Sequence, residues 1–409
     1  MIKTNSNHRA GAKGQILILD GRQRSTLAAA RSLGRHGIEV TVGEDRLPCL
    51  ASRSKYVSHA IKYASATSDP KAFIADIADE LGHHKYDMIL PMTDMSMNLT
   101  VNEFDSFARL TRMPVAGKEA YLKAIDKAET IKLSQNLGIP VPKTFFINEI
   151  SELPGIKTEL NYPVVIKPRQ SKYLTTDGWI SAGVDYAFSF DELTQKIDRF
   201  KNLPDLPLIQ ERLSGPGIGA FLLFNHGMEK AIFFHRRIRE KPPSGGVSVL
   251  RESIVPDPAI KEYSIRLMKA LNWHGVAMVE FKIDDRDNTP RIMEINARFW
   301  GSLQLAIDSG IDFPFLLYQM ITTGDVPPIF NYKIGVKSRW LLGDLDHLLL
   351  RIFKSDDQLK LPPGYPGRMA TLVEFLRFYR PDMKYEILRL DDFGPFLMEF
   401  KEWFRQLGK

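Results

Sequence analysis

A mixed α/β and α+β fold, with a small βαβ domain, a two-lobed core and a C-terminal extension, is predicted by three features of the 409-residue sequence. Apolar runs at 15–20 and 38–42 flank a stretch, 25–36, whose Leu27, Ala28, Ala30 and Leu33 recur at helical spacing, the pattern of a parallel strand-helix-strand unit. Two alternating segments, Val276 to Ile283 and Met293 to Ala297, are separated by the turn-forming run Asp285 to Pro290 and read as an antiparallel hairpin. Between these regions Gly138-Ile139-Pro140-Val141-Pro142 stops one helical pattern, and a new unit begins.

Taken in order, residues 1–14 are polar and basic without an apolar centre and read as a disordered tail, not a secretory signal. The first domain, 15–115, adds a helix at 70–81 and a buried strand at 87–90. Its first turn, Asp20 to Ser25, lacks G-x-G-x-x-G and gives little support for a dinucleotide site. The core, 116–325, opens with a helical pattern at 120–138 that breaks near Asp126. A mobile lobe at about 143–212 follows, with strands at 162–167 and 206–211 around a helix near 190–200. Strands at 220–224 and 231–235 and an amphipathic helix at 257–271 lead to the hairpin. The pattern weakens over 326–409, which reads as an extension packed on the main body or on a partner.

Composition narrows the function. The net charge of +6 comes from 55 basic and 49 acidic residues that are interspersed, so nucleic acid is not an expected partner. No apolar stretch approaches the about 20 residues of a membrane span. A single cysteine, Cys49, excludes an internal disulfide and a multi-thiolate metal site, and suits a reducing cytoplasm. No internal repeat is apparent, and the residues leave a homo-oligomer open.

In a strand, Glu294, Asn296 and Arg298 share one face, and Met293, Ile295 and Ala297 the other. If Val279, Phe281 and Ile283 join that second, core face, Glu280 falls beside Glu294. Like charges so placed repel unless a cation separates them. Carboxylate and amide oxygens without Cys or His suit a hard ion, Mg2+ or Mn2+, whose shell is completed by water and nucleotide phosphates. Arg298 can then reach phosphate oxygens or a developing negative charge. A lone Glu here would be an ordinary surface charge; strict alternation opposite another Glu sets this face apart.

Lys127 stands at the start of a helical segment, and Lys167 ends the apolar run Val164-Val165-Ile166, which places its ammonium at the sheet edge to meet phosphate. Solvent exposure at an element's end is the plainer reading of either lysine. The loop 169–183 can close over phosphates through backbone N–H groups, although it holds only Gly178 and Gly183. Gln210, Glu211 and Leu213 precede a Gly/Pro hinge, where an unpaired backbone edge suits adenine and Glu211 its exocyclic amine. The cluster at 235–241, with Arg236 and Arg239, is assigned to an anionic substrate or the terminal phosphate, with a solvated basic loop as the alternative.

In this order, lysine in Asp126-Lys127, lysine in Val165-Ile166-Lys167-Pro168, Gln210-Glu211-Arg212-Leu213, then Glu280 and Glu294-Ile295-Asn296-Ala297-Arg298, the chain resembles the ATP-grasp superfamily over about 118–314. Arg298-Phe299-Trp300-Gly301-Ser302 and the run from Arg236 to Gly246 look like the carboxylate-amine ligase group, akin to carbamoyl-phosphate synthase large subunits and biotin carboxylases. The first domain is similar to a pre-ATP-grasp domain. The resemblance implies ATP between two lobes, with Lys127 and Lys167 on phosphates and Glu211 and Leu213 at adenine. It further implies Mg2+ on Glu280, Glu294 and Asn296, and Arg298 steadying an acyl phosphate. Where many relatives carry an acidic residue for the ribose, this chain reads Gly217-Ile218-Gly219-Ala220. The implied activity is an ATP-dependent ligase joining a small-molecule carboxylate to an amine. The alternatives are a carboxylase or phosphotransferase on the same site, or a nucleotide-binding regulatory protein without turnover.

Overall fold

The computed structural model describes residues 14–407 except Asp177, Ser244, Lys360, 362–364 and Tyr379, so the expected tail lies outside the described residues apart from Gly14. The first sheet is parallel, in the order β3-β2-β1-β4, from β1 (Gln15–Ile18), β2 (Glu39–Glu44), β3 (His59–Lys62) and β4 (Met88–Leu90). β4, and β1 after Gln15, are continuous apolar runs because both faces are covered, whereas β2 and the edge strand β3 carry polar residues. Ile16 and Ile18 pack with Leu27 and Leu33 of helix Arg24–Arg35, whereas Leu17 and Leu19 pack with Phe73 and Ile77 of helix Pro70–His83. Asp69 caps the second helix by accepting from the Ala72 amide, and Pro70 sits in its first turn, where the missing N–H costs nothing.

A second, antiparallel sheet, β5-β10-β6-β9, joins β5 (Thr144–Phe145), β6 (Val164–Lys167), β9 (Asp185–Ala187) and β10 (Leu208–Glu211). Ile166 and Ile209 bury one face against helix Phe190–Ile197. Alternation turns Lys167 and Gln210 to the other face, toward the third sheet. The expected loop at 169–183 is instead largely a hairpin, β7 (Lys172–Thr175) and β8 (Gly178–Ser181). Its low glycine content agrees with a paired ribbon better than with a phosphate-wrapping loop.

The third sheet runs β15-β14-β11-β12-β13-β16-β17. It contains β11 (Gly217–Asn225), β12 (Met228–Lys241), β13 (Val247–Ser253), β14 (Gly275–Ile283), β15 (Pro290–Asn296), β16 (Lys337–Arg339) and β17 (Met383–Tyr385). Phe221, Leu223 and Phe233 pack toward the first sheet, and Leu222, Phe224, Val279 and Phe281 toward helix Pro258–Ala270. The segment after 326 is more than an appendage, since β16 and β17 extend this sheet. Arg31 fixes the chain beyond them, bonding the Glu386 and Ile387 carbonyls and the Asp392 carboxylate. Three-residue strands built from Lys337-Ser338-Arg339 and Met383-Lys384-Tyr385 carry too little apolar alternation to be legible beforehand. Among the described residues no helix is long and apolar enough to cross a membrane.

Candidate active site

Glu280 of β14 and Glu294 of β15 are direct cross-strand partners, as the burial parity requires. Immediately beyond them the register shifts, so that Ile292 rather than Met293 opposes Phe281 and fills the core. The expectation that Met293 faces the core is therefore corrected. The bulge inserts one residue and reverses parity, which strand alternation alone cannot foresee. Freed from the core, Met293 lines the cleft beside the acids, and its carbonyl accepts the Lys167 ammonium at 2.9 Å. Lys167 belongs to an interior strand, not a sheet edge, and its side chain bridges the two lobes.

Three cations surround the acid pair. Lys127 opens helix Lys127–Asn136, capped by Asp126, and its Nζ lies 3.4 Å from Glu294 Oε2. Lys127 Nζ is also 3.4 Å from Ser171 Oγ. Arg237 approaches Glu280 Oε1 at 3.8 Å. Burial lowers the Lys167 pKa to about 8, against the opposing pull of Glu294. Burial also pushes the Glu280 carboxyl up, and the neighbouring Glu294 adds to it. At Glu294 burial acts in the same direction, but Lys127 and Lys167 outweigh it and hold the group below the usual carboxylate range. Asn296 shares this face, with Nδ2 3.5 Å from Glu294 Oε1. Two carboxylates and an amide oxygen form a hard donor set, and Glu280, which burial and Glu294 push up despite Arg237 and Lys167, has most to gain from a cation. Among the described residues no group of three or more His, Cys, Asp or Glu side chains is placed to bind a metal ion. A cation at this pair therefore depends on Asn296 and on ligand or water oxygens.

Other expected residues are directed elsewhere. Arg236 pairs with Glu252 at 2.6 Å, and Arg239 forms a two-pronged ion pair with Asp344 at 2.6 and 2.7 Å. Both lie on the face away from the acids. A bulge at Ile238 breaks alternation, so Arg239 joins the Arg236 face while Arg237 keeps the Glu280 face. Arg237 is thus the arginine of this cluster at the site; parity counted along β12 would have grouped it with Arg239. The Glu211 carboxylate accepts the Lys143 amide at 2.8 Å and pairs with Arg286 at 2.9 Å, which occupies both of its oxygens outside the cleft. Gln210, one residue earlier, faces the cleft, donates to Thr144 and leaves its buried Oε1 without a partner. The Leu213 carbonyl accepts from Lys282 at 2.7 Å, and Gly215 turns the hinge at φ +114°, where a Cβ would meet the Ile283 carbonyl at 1.9 Å. Arg298 is held by both oxygens of Asp94, from the first domain, at 2.5 and 2.9 Å.

Arg169 also escaped the sequence reading. Its guanidinium grips Asp126, the cap of the Lys127 helix, at 2.5 and 2.9 Å, and its carbonyl accepts the Lys127 amide at 2.9 Å. One residue thereby ties the lobe that carries Lys167 to the helix that carries Lys127. Trp179, on the hairpin, adds a second tie by donating to the Ala66 carbonyl at 2.7 Å. Glu294 divides two hollows. One, of about 50 Å³, lies under the hairpin beside Lys127, Trp179 and Asn296. The other, of about 550 Å³, lies between Lys167, the Gly215–Gly217 hinge, Arg237 and Lys282. The larger hollow is of the size of a small-molecule site and borders both acids.

Residues 206–341 match the family described as "ATP-grasp in the biosynthetic pathway with Ter operon". The D-alanine–D-alanine ligase of Carboxydothermus hydrogenoformans is 30% identical over 193 residues, 42% of this chain and 58% of that protein. The carbamoyl phosphate synthase large chain of Methanosphaerula palustris is 26% identical over 224 residues, 51% of this chain and 20% of that one. The chain therefore spans less than two thirds of either curated relative. The beta-gamma-ATP complex of biotin carboxylase from Campylobacter jejuni superposes with a TM-score of 0.64 at 17% identity, covering 79% of this chain and 74% of that one. The fold is that of the ATP-grasp proteins.

Proposed function

We propose that this ATP-grasp chain is an ATP- and Mg2+-dependent ligase that activates a small carboxylate as its acyl phosphate and joins it to an amine. The observation that carries the reading is the direct Glu280–Glu294 pair, ringed by Lys127, Lys167 and Arg237 between two lobes. Glu280, Glu294 and Asn296 would hold the metal, which supplies charge neutralisation to crowded phosphate oxygens. Lys127 and Lys167 bind phosphates as point charges, and Gln210 with the hinge at Leu213 receives the base. Arg237 would meet the charge that gathers on the transferred group, and Arg298 would meet that on the activated acid only by exchanging its Asp94 partner for it.

The chemistry balances without a nucleophilic side chain. A substrate carboxylate oxygen forms the new P–O bond as the γ-phosphorus leaves ADP. The amine nitrogen then attacks the carbonyl carbon, the C–O bond to phosphate breaks, and the nitrogen loses a proton. Lobe closure through Arg169 and Trp179 keeps water from the acyl phosphate. The buried Cys49 suits a reducing cytoplasm, where we place the protein.

The test is to incubate the protein with ATP, Mg2+ and pooled carboxylates and amines, following ADP release and new masses together. The expected outcome is ADP release that needs both pools and a product equal to acid plus amine less water. Release that yields a phosphorylated or carboxylated product instead, or none with any pool, would replace this reading.

A further inference from the structure

The smaller hollow beside Glu294 is walled by two helices that hold no part of the larger one. Helix Asp94–Asn102 of the first domain, capped reciprocally by Thr93 and Ser96, turns Asp94 and Asn98 to it, four residues apart on one face. Helix Lys118–Ile125 brings Tyr121 to it, and Trp179 of the hairpin lies on another side. At roughly 10–15 Å³ for each water-sized centre, a hollow of about 50 Å³ admits about four non-hydrogen atoms. A carboxyl group and the carbon that bears it are of that size. The space suits the reacting end of an acid, not the body of a substrate.

The charged groups around this space are already matched. Lys127 approaches Glu294 at 3.4 Å, both oxygens of Asp94 hold Arg298, and the Lys172 ammonium donates to Ser181. What remains for a guest is neutral. Tyr121 is 2% exposed and lines the hollow, yet among the described residues its hydroxyl has no hydrogen-bond partner. Asn98 Oδ1 accepts from Asn102 at 2.9 Å, which leaves the Asn98 side-chain N–H groups uncommitted. Burial holds the Tyr121 phenol above its ordinary value, Arg298 opposes this and Asp94 adds to it. The hydroxyl therefore keeps its proton in the neutral range and serves as a donor, not as a base. Packing alone does not call for it, since phenylalanine would fill the same space without a polar atom left unmet.

We infer that the Tyr121 hydroxyl, with the Asn98 amide from the neighbouring helix, donates to the carbonyl oxygen of the acyl phosphate and stabilises the charge that gathers there as the amine attacks. The inference rests on the ligase reading and deepens it. As the amine nitrogen bonds to the carbonyl carbon, one electron pair of the C=O bond moves onto oxygen. That pair returns when the C–O bond to phosphate breaks, the phosphate leaves with the electrons of that bond, and the proton of the nitrogen passes to it. Donors at an oxygen that is fully charged only in the intermediate favour the intermediate over the bound acid. Phosphoryl transfer gains less from them, because the same oxygen loses charge as the acid is phosphorylated.

Tyr121→Phe in the full chain tests this, with ATP, Mg2+ and the pooled carboxylates and amines. Product formation is expected to fall by about 10²–10³-fold, the usual worth of one donor to such an oxygen. In a second arm hydroxylamine, a small nucleophile that attacks acyl phosphates unaided, replaces the amines, and the variant should yield hydroxamate at the parent's rate. Its melting midpoint should be no lower than the parent's, because the hydroxyl bonds nothing in the free protein. Parent-level product formation, an equal loss of hydroxamate, or a lowered midpoint overturns the assignment. Neither product nor hydroxamate from the parent removes the ligase reading itself, and this role of Tyr121 with it.

Discussion

Glu294→Gln is expected to reduce ATP turnover by about 10³-fold or more while the protein still folds. The substitution keeps the side chain's volume but removes the charge that Lys127 and Lys167 converge on and that a metal would need. Losing several kcal/mol of electrostatic stabilisation of the phosphoryl group corresponds to a factor of that size. The side chain is 28% exposed at a cleft, so no core cavity opens. Glu280→Gln should lower turnover in the same assay yet leave the thermal midpoint at or above the parent's. Burial and its neighbour already disfavour the Glu280 charge in the ligand-free protein, so neutralising it relieves a cost. Parallel ADP-release rates and melting curves check both variants. Near-parent turnover in Glu294→Gln would remove the pair from the chemistry.

The second large effect is expected at Lys167. Lys167→Ala should weaken ADP binding about 10- to 100-fold, the worth of one charge-assisted phosphate contact in a partly desolvated cleft. In the free protein the ammonium spends one donor on the Met293 carbonyl and keeps the others for a ligand. Lys167→Met retains the buried stem and should show the same loss, which separates the charge from the packing. Calorimetric titration with ADP is the measurement, and unchanged affinity in both variants would take Lys167 out of the nucleotide site.

What was legible beforehand follows the strength of periodicity. The βαβ opening, the break at Asp126, the hairpin and the Glu280–Glu294 pairing all rest on unbroken alternation or on helix caps, and each is present. Misreadings collect where one residue is inserted. The bulge near Met293 and the bulge at Ile238 each reverse parity; the first accounts for the displaced core position, and the second parts Arg239 from Arg237, which unbroken alternation would keep on one face. Glu211 was misplaced for a different reason: alternation within β10 sends Gln210 and Glu211 to opposite faces, and only knowledge of the facing sheet says which is the cleft. Asp94 and Arg169 act through partners about 40 to 200 residues away in the chain, a separation that no local pattern encodes.

The central claim is that the two opposed acids gather a hard cation beneath a triphosphate. A crystal grown with Mn2+ and a non-hydrolysable ATP analogue, with the metal located by its anomalous signal, tests this most directly. The account predicts a peak within about 2.0–2.6 Å of oxygens from both Glu280 and Glu294 and of a phosphate oxygen. Manganese bound elsewhere, or analogue bound with no peak between those carboxylates, would contradict it.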